Sequence, residues 1–170
     1  MPNNITNKLS MKAQNPDDVN EVLEFIKDAD SDFDFNKVVP MPKDIANCSS
    51  EYTGSMPHWY TWSCDNWGTK WNAYDASVDG NVVHFQTAWS NVTILIQKLA
   101  DKFPQVCFLY EYTDSDTGSQ CGQVLFFENN TKENIFPNSS REAYEHCFKL
   151  DPVSAQYYEL IDGNYEHVER

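Results

Sequence analysis

The sequence has few cationic residues, and this shortage limits the partners that it can bind. Only 12 of its 170 residues are lysine or arginine, against 26 aspartates and glutamates, so the formal net charge is −14. Arg141 and Arg170 are the arginines, and no basic run occurs. Proteins that bind nucleic acids neutralise phosphates with clustered cations. The composition therefore disfavours nucleic acid as a partner. It favours solubility, or a negative surface that suits a basic partner or imitates nucleic acid.

Long apolar runs are also absent. MPNNITNKLSMK lacks the apolar centre of a secretory signal, and stretches such as QVLFF are too short to span a bilayer. The cysteines are odd in number and form no CxxC pair: Cys48, Cys64, Cys107, Cys121 and Cys147. We therefore expect a cytoplasmic protein with reduced, mostly buried thiols and no membrane segment.

Patterns typical of catalytic sites are missing as well. No serine lies in a G-x-S-x-G elbow, and no glycine-rich phosphate loop is present. The histidines are scattered, and His84 lies in a predicted strand, where a structural role is the more common one. His146 and Cys147 are neighbours, but adjacent side chains on a helix point about 100° apart. The sequence therefore favours a binding protein over an enzyme and predicts no cofactor.

Two short patterns resemble metal sites but lack the remaining ligands. Residues 28–34 carry four aspartates, but the sixth and twelfth positions of a calcium loop hold Phe35 and Met41 instead of glycine and an acid. Cys107 and Cys121 would face each other if their strands paired suitably, yet two thiols do not make a structural zinc site. We therefore predict no bound metal.

Aromatic residues are abundant, and they supply much of the predicted core. The chain holds 5 Trp, 9 Tyr and 10 Phe, and 41% of its residues are hydrophobic, which fits one globular domain. Residues 5–11 alternate apolar and polar side chains, as a half-buried strand does. Asn15 and Pro16 are suited to begin a helix. Its apolar face repeats at Val19, Val22, Leu23 and Ile26.

Residues 28–67 form a predicted insertion before the second strand. We expect FDFNKVVPMP to be extended, because its prolines exclude regular ladder pairing, and HWYTWSCDNWG to be an aromatic-rich helix that Gly68 ends. A strand over 70–77 then leads through an Asp-Gly turn at 79–80 into another strand. Ser90 is the predicted cap of the following helix.

The last part of the chain carries two more predicted strands and a helical end. QVCFLYEY and QCGQVLFF form a hairpin, Ser139 and Glu142 form a capping box, and a second short helix over 152–161 precedes a frayed tail. The whole order predicts a ferredoxin-like α+β fold, an antiparallel sheet with two helices on one face. We assign residues 1–128 to this domain, including the aromatic-rich insertion, and 129–170 to a C-terminal helical extension packed on it.

Several motifs resemble a known protein family. The chain is similar to the ferredoxin-like proteins typified by the plasmid protein YubB in the order of MPNNITNKLS, FNKVVPMP, NWGTKWNAYD, FQTAWS and LADKFP. The similarity covers residues 1 to about 128, and NWGTKWNA is specific in length and composition. It implies a ferredoxin-like fold and an origin in a phage, prophage or plasmid. It implies no catalytic residue, because no chemistry is attached to the matched positions 66–72.

The candidate binding residues lie in and just before NWGTKWNAYD. They are Trp62, Asn66, Trp67, Lys70 and Trp71. One interpretation is structural: the tryptophans close one end of the core, and asparagine side chains satisfy loop backbone groups. The other is functional: the residues form an aromatic pocket or hot spot with Lys70 as its charged handle. The sequence leaves both interpretations open.

The leading hypothesis is a non-catalytic accessory protein of a phage or other mobile element that binds a host protein, with defence components among the candidates. One alternative is a small-molecule-binding protein or enzyme, which a deep cavity lined by Trp67, Lys70, Trp71 and His58 would favour. Another is a single-stranded nucleic-acid binder that exposes aromatics, such as Tyr110 and Tyr112, on its sheet. The sequence leaves the oligomeric state open, including a homo-oligomer.

Overall fold

One six-stranded antiparallel sheet organises the protein. The computed structural model describes residues 3–48 and 58–169. The strands in these ranges are β1 (Asn4–Lys12), β2 (Tyr74–Asp79), β3 (Val82–Ala88), β4 (Cys107–Asp114), β5 (Gly122–Phe127), β6 (Asn130–Ile135), β7 (Tyr158–Ile161) and β8 (Asn164–His167). The helices there are α1 (Pro16–Ile26), α2 (Phe35–Val38), α3 (Lys43–Ala46), α4 (Trp59–Trp67), α5 (Thr93–Lys102), α6 (Arg141–Leu150) and a 3-10 helix (Ser154–Tyr157).

Four of the strands and two of the helices have the ferredoxin-like arrangement. The sheet order is β2-β3-β1-β4-β5-β6, and α1 and α5 connect β1 to the β2–β3 hairpin and that hairpin to β4. The apolar faces of the two helices share one core with the strands, which includes Val22, Ile26, Leu95, Leu99, Leu9, Phe85 and Phe108. The predicted α+β fold class is confirmed. Among the described residues, no helix is long and apolar enough to cross a membrane.

Local sequence signals determine where several elements begin and end. Every second side chain of β1 is buried, as its alternation predicts. The Asn15 side chain accepts a hydrogen bond from the Asp17 N–H at 3.1 Å, and Pro16 occupies the first turn of α1. Gly68 ends α4 with a φ of 85°, a left-handed conformation that glycine adopts readily. These predictions are confirmed.

The FDFNKVVPMP segment is not extended as predicted, because α2 and α3 form within and just after it. The Asp34 carboxylate begins α2 by accepting the Asn36 N–H at 3.0 Å. Asn72 then holds this region from across the fold, since its side-chain oxygen accepts the Phe35 N–H at 2.8 Å. A tertiary hydrogen bond therefore supports a helix that is too short to be stable alone.

Two further boundaries differ from the predictions. β2 begins at Tyr74 instead of residue 70, because the preceding residues form a loop that packs on α2 and α4. Ser90 does not cap α5. The helix begins at Thr93, whose N–H donates to the Asn91 side chain at 3.1 Å.

The outer face of the sheet, opposite α1 and α5, is covered in part by α6. Glu111 of β4 lies under this helix and is only 1% exposed. Its carboxylate forms ion pairs with Lys149 of α6 and with Lys8 of β1, the latter at 3.7 Å. Two cations therefore compensate one buried anion between the sheet and α6.

The C-terminal residues fold differently from the predicted pair of helices. β6 adds a sixth strand to the sheet, and the segment predicted as a second helix over 152–161 contains a 3-10 turn followed by β7. β7 and β8 form a hairpin where a frayed tail was predicted. Tyr158 and Tyr165 of this hairpin pack against Tyr144 and Phe148 of α6. Ring packing therefore stabilises a two-stranded hairpin that would be marginal alone.

The β4–β5 register keeps Cys107 and Cys121 apart. Phe108 pairs with Phe126 and Tyr112 pairs with Gly122, so the two cysteines lie near opposite ends of the ladder. The suggested facing of these thiols is wrong. Within residues 3–48 and 58–169, no group of three or more His, Cys, Asp or Glu side chains is arranged to hold a metal ion.

Tyr110 and Tyr112 point into the core and not onto the open face of the sheet. They are 0% and 3% exposed, so the interpretation of these two rings as a base-stacking surface is wrong. The Tyr110 hydroxyl instead accepts the Val92 N–H at 2.9 Å and donates to the Asn7 side-chain oxygen at 2.6 Å. A core side chain therefore satisfies a backbone donor at the start of α5.

We expect Tyr110→Phe to lower the free energy of unfolding by about 1 to 3 kcal/mol, because two buried groups lose their partner.

Burial also raises the pKa of Tyr110, and it raises that of Tyr112 to about 12. The folded state therefore favours the protonated form of both tyrosines. The stability that this preference contributes is fully present below about pH 10, the usual tyrosine pKa, and is lost as the pH rises through the pKa values of the folded state. Urea unfolding at neutral and alkaline pH measures both effects. A variant as stable as the wild type at neutral pH would contradict the assigned role.

Candidate binding site

Three aromatic side chains surround the ammonium group of Lys70 at the surface. Its Nζ lies 4.4 Å from the ring centroid of Trp71, 4.6 Å from that of Trp89 and 5.8 Å from that of Tyr60. These distances fit cation–π interactions. The three residues are nevertheless 40%, 41% and 38% exposed. We call Tyr60, Lys70, Trp71 and Trp89 the aromatic cluster.

Lys70 is an isolated cation in an acidic protein. In the part of the chain that the structure describes, no carboxylate forms an ion pair with it. Burial and the charge of Asp65 raise the pKa of the nearby Cys64 thiol, and the hydrogen bond with Tyr60 and the charge of Lys70 offset this rise only in part. Cys64 therefore stays protonated at neutral pH, and the ammonium group remains available to an anionic group of a ligand.

Short hydrogen bonds fix the loop that carries Lys70 and Trp71. The Ser63 hydroxyl of α4 donates to the Lys70 carbonyl oxygen at 2.7 Å, and the Thr69 hydroxyl donates to the Ala88 carbonyl oxygen at 2.7 Å. The loop is thus tied both to α4 and to the end of β3. Such anchoring holds exposed side chains in place before a partner binds.

Trp89 has an unusual backbone conformation. Its φ is 66°, in the left-handed region that large side chains rarely adopt. The N–H of Trp89 donates to the Asn3 carbonyl oxygen at 2.9 Å, which holds the residue at the end of β3. This conformation costs on the order of 1 kcal/mol or more. The conformation places the exposed Trp89 indole over Lys70.

The structure divides the predicted site residues into two groups. Lys70 and Trp71 belong to the aromatic cluster, whereas Trp67 belongs to the core and is 4% exposed. The indole N–H of Trp67 donates to the Val39 carbonyl oxygen at 2.9 Å. Its ring also packs edge to face against Phe35, with centroids 5.8 Å apart. Trp67 therefore joins α4 to the region around α2.

Trp62 and Asn66 also make structural contacts. The half-buried Trp62 ring packs edge to face against Trp67 at 5.3 Å. The Asn66 side chain donates to the Trp62 carbonyl oxygen at 2.9 Å, and the Asn66 carbonyl oxygen accepts from Lys98 of α5 at 3.2 Å. These two residues support the position of α4 on α5.

An open hollow of about 400 Å³ lies beside the aromatic cluster. Its lining includes Trp67, Lys70 and Trp71 of the predicted cavity, together with Trp59. His58 does not line it. This histidine is the N-cap of α4, where its Nδ1 accepts the Tyr60 N–H at 3.2 Å. The hollow is open to solvent and is not the deep cavity that the small-molecule interpretation requires.

The sequence did not reveal Tyr60 and Trp89 as members of the cluster. Val83, Phe85 and Thr87 of β3 are buried, so strand alternation would place Trp89 on the same inward face. Its left-handed backbone reverses this direction, and nothing in the local sequence indicates such a conformation. Tyr60 joins the cluster through the position of α4 on the fold, which is a tertiary property.

Comparison with known proteins identifies the family. The family model of the ferredoxin-like domain in Api92-like proteins matches residues 66–159, more than half of the 170-residue chain. The chain belongs to this family. The match includes Lys70, Trp71 and Trp89, whereas Tyr60 lies before it. The matched region extends across residue 128. The division into a domain over 1–128 and an extension over 129–170 stays a prediction.

The match begins at the end of α4 and therefore omits β1 and α1, which complete the ferredoxin-like core in the structure. No curated protein and no solved structure matches the chain.

Proposed function

We propose that this protein is a non-catalytic accessory protein of a phage or another mobile element, and that it binds a host protein through the aromatic cluster. The mobile-element origin rests on the resemblance of NWGTKWNAYD and the other motifs to the YubB-typified family. Host defence proteins are the first class of partner to test. The binding role rests on the exposure of Tyr60, Trp71 and Trp89 around Lys70.

The composition of the aromatic cluster supports protein binding. Tryptophan and tyrosine are enriched among the residues that dominate binding energies at protein interfaces. Rings presented with few free rotations lose little conformational entropy when they are covered. The hydrogen bonds of Thr69 and Ser63 and the backbone conformation of Trp89 provide this fixed presentation.

We expect Trp71→Ala combined with Trp89→Ala to weaken binding of the host partner by about 30-fold or more, because even one hot-spot residue contributes about 2 kcal/mol or more. The protein is tagged, recovered from bacterial lysate at low and moderate salt, and analysed by native mass spectrometry. Tyr157→Ala is the matched control, since Tyr157 is 47% exposed and lies outside the cluster. Circular dichroism verifies that both variants are folded.

Three outcomes of this experiment would contradict protein binding through the cluster. The first is that the wild type recovers no partner. The second is that the partner stays bound to the Trp71→Ala/Trp89→Ala variant, and the third is that the Tyr157→Ala control loses the partner to the same extent. The comparison with Tyr157→Ala distinguishes a specific interface from general adhesion of exposed aromatic rings.

A second candidate function is the binding of a small molecule, or a reaction carried out on one, in the open hollow. Trp59, Trp67 and Trp71 supply apolar walls, and Lys70 supplies a positive charge for an anionic group of the ligand. The same native spectra test this candidate. A small adduct that Trp71→Ala removes would support it over protein binding, and spectra without any adduct would oppose it.

A further inference from the structure

Two cysteines outside the aromatic cluster lie together beneath α6. Cys121 directly precedes β5 and Cys147 lies in α6, and both pack with Ala143 in one buried cluster. The sulfur of Cys147 accepts a hydrogen bond from the Gly118 N–H at 3.3 Å and lies 2.6 Å from the hydroxyl oxygen of Thr113. The fold thus brings two thiols from different elements to one place and surrounds one of them with donors.

We propose that Cys121 and Cys147 form a site of reversible oxidation, at which a hydroperoxide converts the two thiols into a disulfide that joins the residue before β5 to α6. A disulfide requires two Cα atoms roughly 4.4–6.8 Å apart and side chains directed at each other. Cys121 and Cys147 belong to the same small buried cluster, and the Cys121 thiol also contacts the Ala143 carbonyl oxygen, one helical turn before Cys147, at 3.7 Å. This site is independent of the aromatic cluster and of the proposed partner.

The surroundings give the two sulfurs different roles. Contact with the Cys121 thiol, the Thr113 hydroxyl and the Gly118 N–H lowers the pKa of Cys147, although burial acts in the opposite direction. The same contact and burial raise the pKa of Cys121. Cys147 is therefore the thiolate that attacks, and Cys121 is the thiol that resolves the intermediate.

The oxidation proceeds in two balanced steps. The Cys147 thiolate attacks the peroxide, so that an S–O bond forms and the O–O bond breaks. The leaving oxygen takes up a proton and departs as water or an alcohol. The Cys121 sulfur then attacks the sulfenic acid at Cys147, the S–S bond forms, the S–O bond breaks, and water departs with the thiol proton. Two electrons pass from the thiols to the peroxide.

The turn between β4 and β5 controls access to Cys147. Gly118 of this turn packs against the ring of Tyr144 and donates its N–H to the Cys147 sulfur. Ser115 and Asp116 beside it are exposed. A local opening of the turn therefore uncovers Cys147 without unfolding the sheet.

The oxidation is tested on the full chain treated with hydrogen peroxide under native conditions. The test variant carries Cys48→Ser, Cys64→Ser and Cys107→Ser, so that the two buried cysteines remain. We expect it to lose the mass of two hydrogen atoms and to yield one linked peptide containing Cys121 and Cys147. Dithiothreitol should reverse both changes, and the thermal midpoint of the oxidised form should rise.

Controls separate this site from general thiol oxidation. With Cys121→Ser added, Cys147 should accumulate a sulfenic acid that dimedone traps. A Cys121–Cys147 link that forms only after the protein is unfolded in urea would overturn the proposal. The wild-type chain, treated in the same way under native conditions, gives a further test: oxidation of Cys48 while the Cys121–Cys147 pair stays fully reduced would also overturn the proposal.

Discussion

Trp67→Ala is expected to lower the free energy of unfolding by about 3 to 5 kcal/mol, as large-to-small changes at buried aromatic residues do. Trp67 is 4% exposed and packs edge to face against both Phe35 and Trp62. Removal of its indole also takes the hydrogen-bond donor from the Val39 carbonyl oxygen. Denaturation in urea, followed by circular dichroism, measures the change.

Trp71→Ala is the matched control, because Trp71 lies four residues further along the chain and is 40% exposed. Surface substitutions usually change stability by about 0.5 kcal/mol or less, and the lost cation–π contact with Lys70 adds up to about 1 kcal/mol. Equal losses in the two variants would show that both tryptophans are structural. A small loss of unfolding free energy in Trp67→Ala would contradict the assignment of Trp67 to the core.

The second large effect concerns the buried carboxylate of Glu111. We expect Lys8→Met combined with Lys149→Met to lower the free energy of unfolding by about 3 to 5 kcal/mol at neutral pH, because an uncompensated charge remains beneath α6. Lys8 and Lys149 are the two cations that pair with it. Urea unfolding measures the loss.

Rescue tests this electrostatic explanation. Glu111→Leu, added to the Lys8→Met/Lys149→Met variant, should restore most of the stability, since an apolar group of similar volume needs no counter-charge. Glu111→Gln alone should have a smaller effect than the double lysine variant, because the Lys149 side chain is 54% exposed and can extend into water. A triple variant as unstable as the double variant would show that lost packing, and not charge, causes the change.

The tryptophans are divided between the core and the candidate binding site. Trp62 and Trp67 hold α4 against the fold, and Trp71 and Trp89 remain on the surface around Lys70. The loop between the two groups is held by other contacts, the hydrogen bonds from the Ser63 and Thr69 hydroxyls to the Lys70 and Ala88 carbonyl oxygens. A substitution at Trp67 therefore tests stability before it tests binding.

Patterns of short range were enough to predict most of the fold. The alternation of β1, the cap at Asn15, the apolar face of α1 and the glycine that ends α4 each act within a few residues. These signals depend on backbone geometry and on the spacing of apolar residues, and both can be recognised within a short stretch of sequence. The order of elements then limited the topology to a ferredoxin-like sheet, because connections of this length join neighbouring elements.

Features that depend on distant contacts required the tertiary structure. FDFNKVVPMP forms α2 because Asn72 binds the Phe35 backbone, and the C-terminal hairpin forms because its tyrosines pack on α6. The aromatic cluster depends on the backbone reversal at Trp89, which overrides the alternation of β3. The sequence by itself determined which residues favour strands, helices and burial. The tertiary structure decided which tryptophans face the solvent, because that direction depends on hydrogen bonds between residues far apart in the chain.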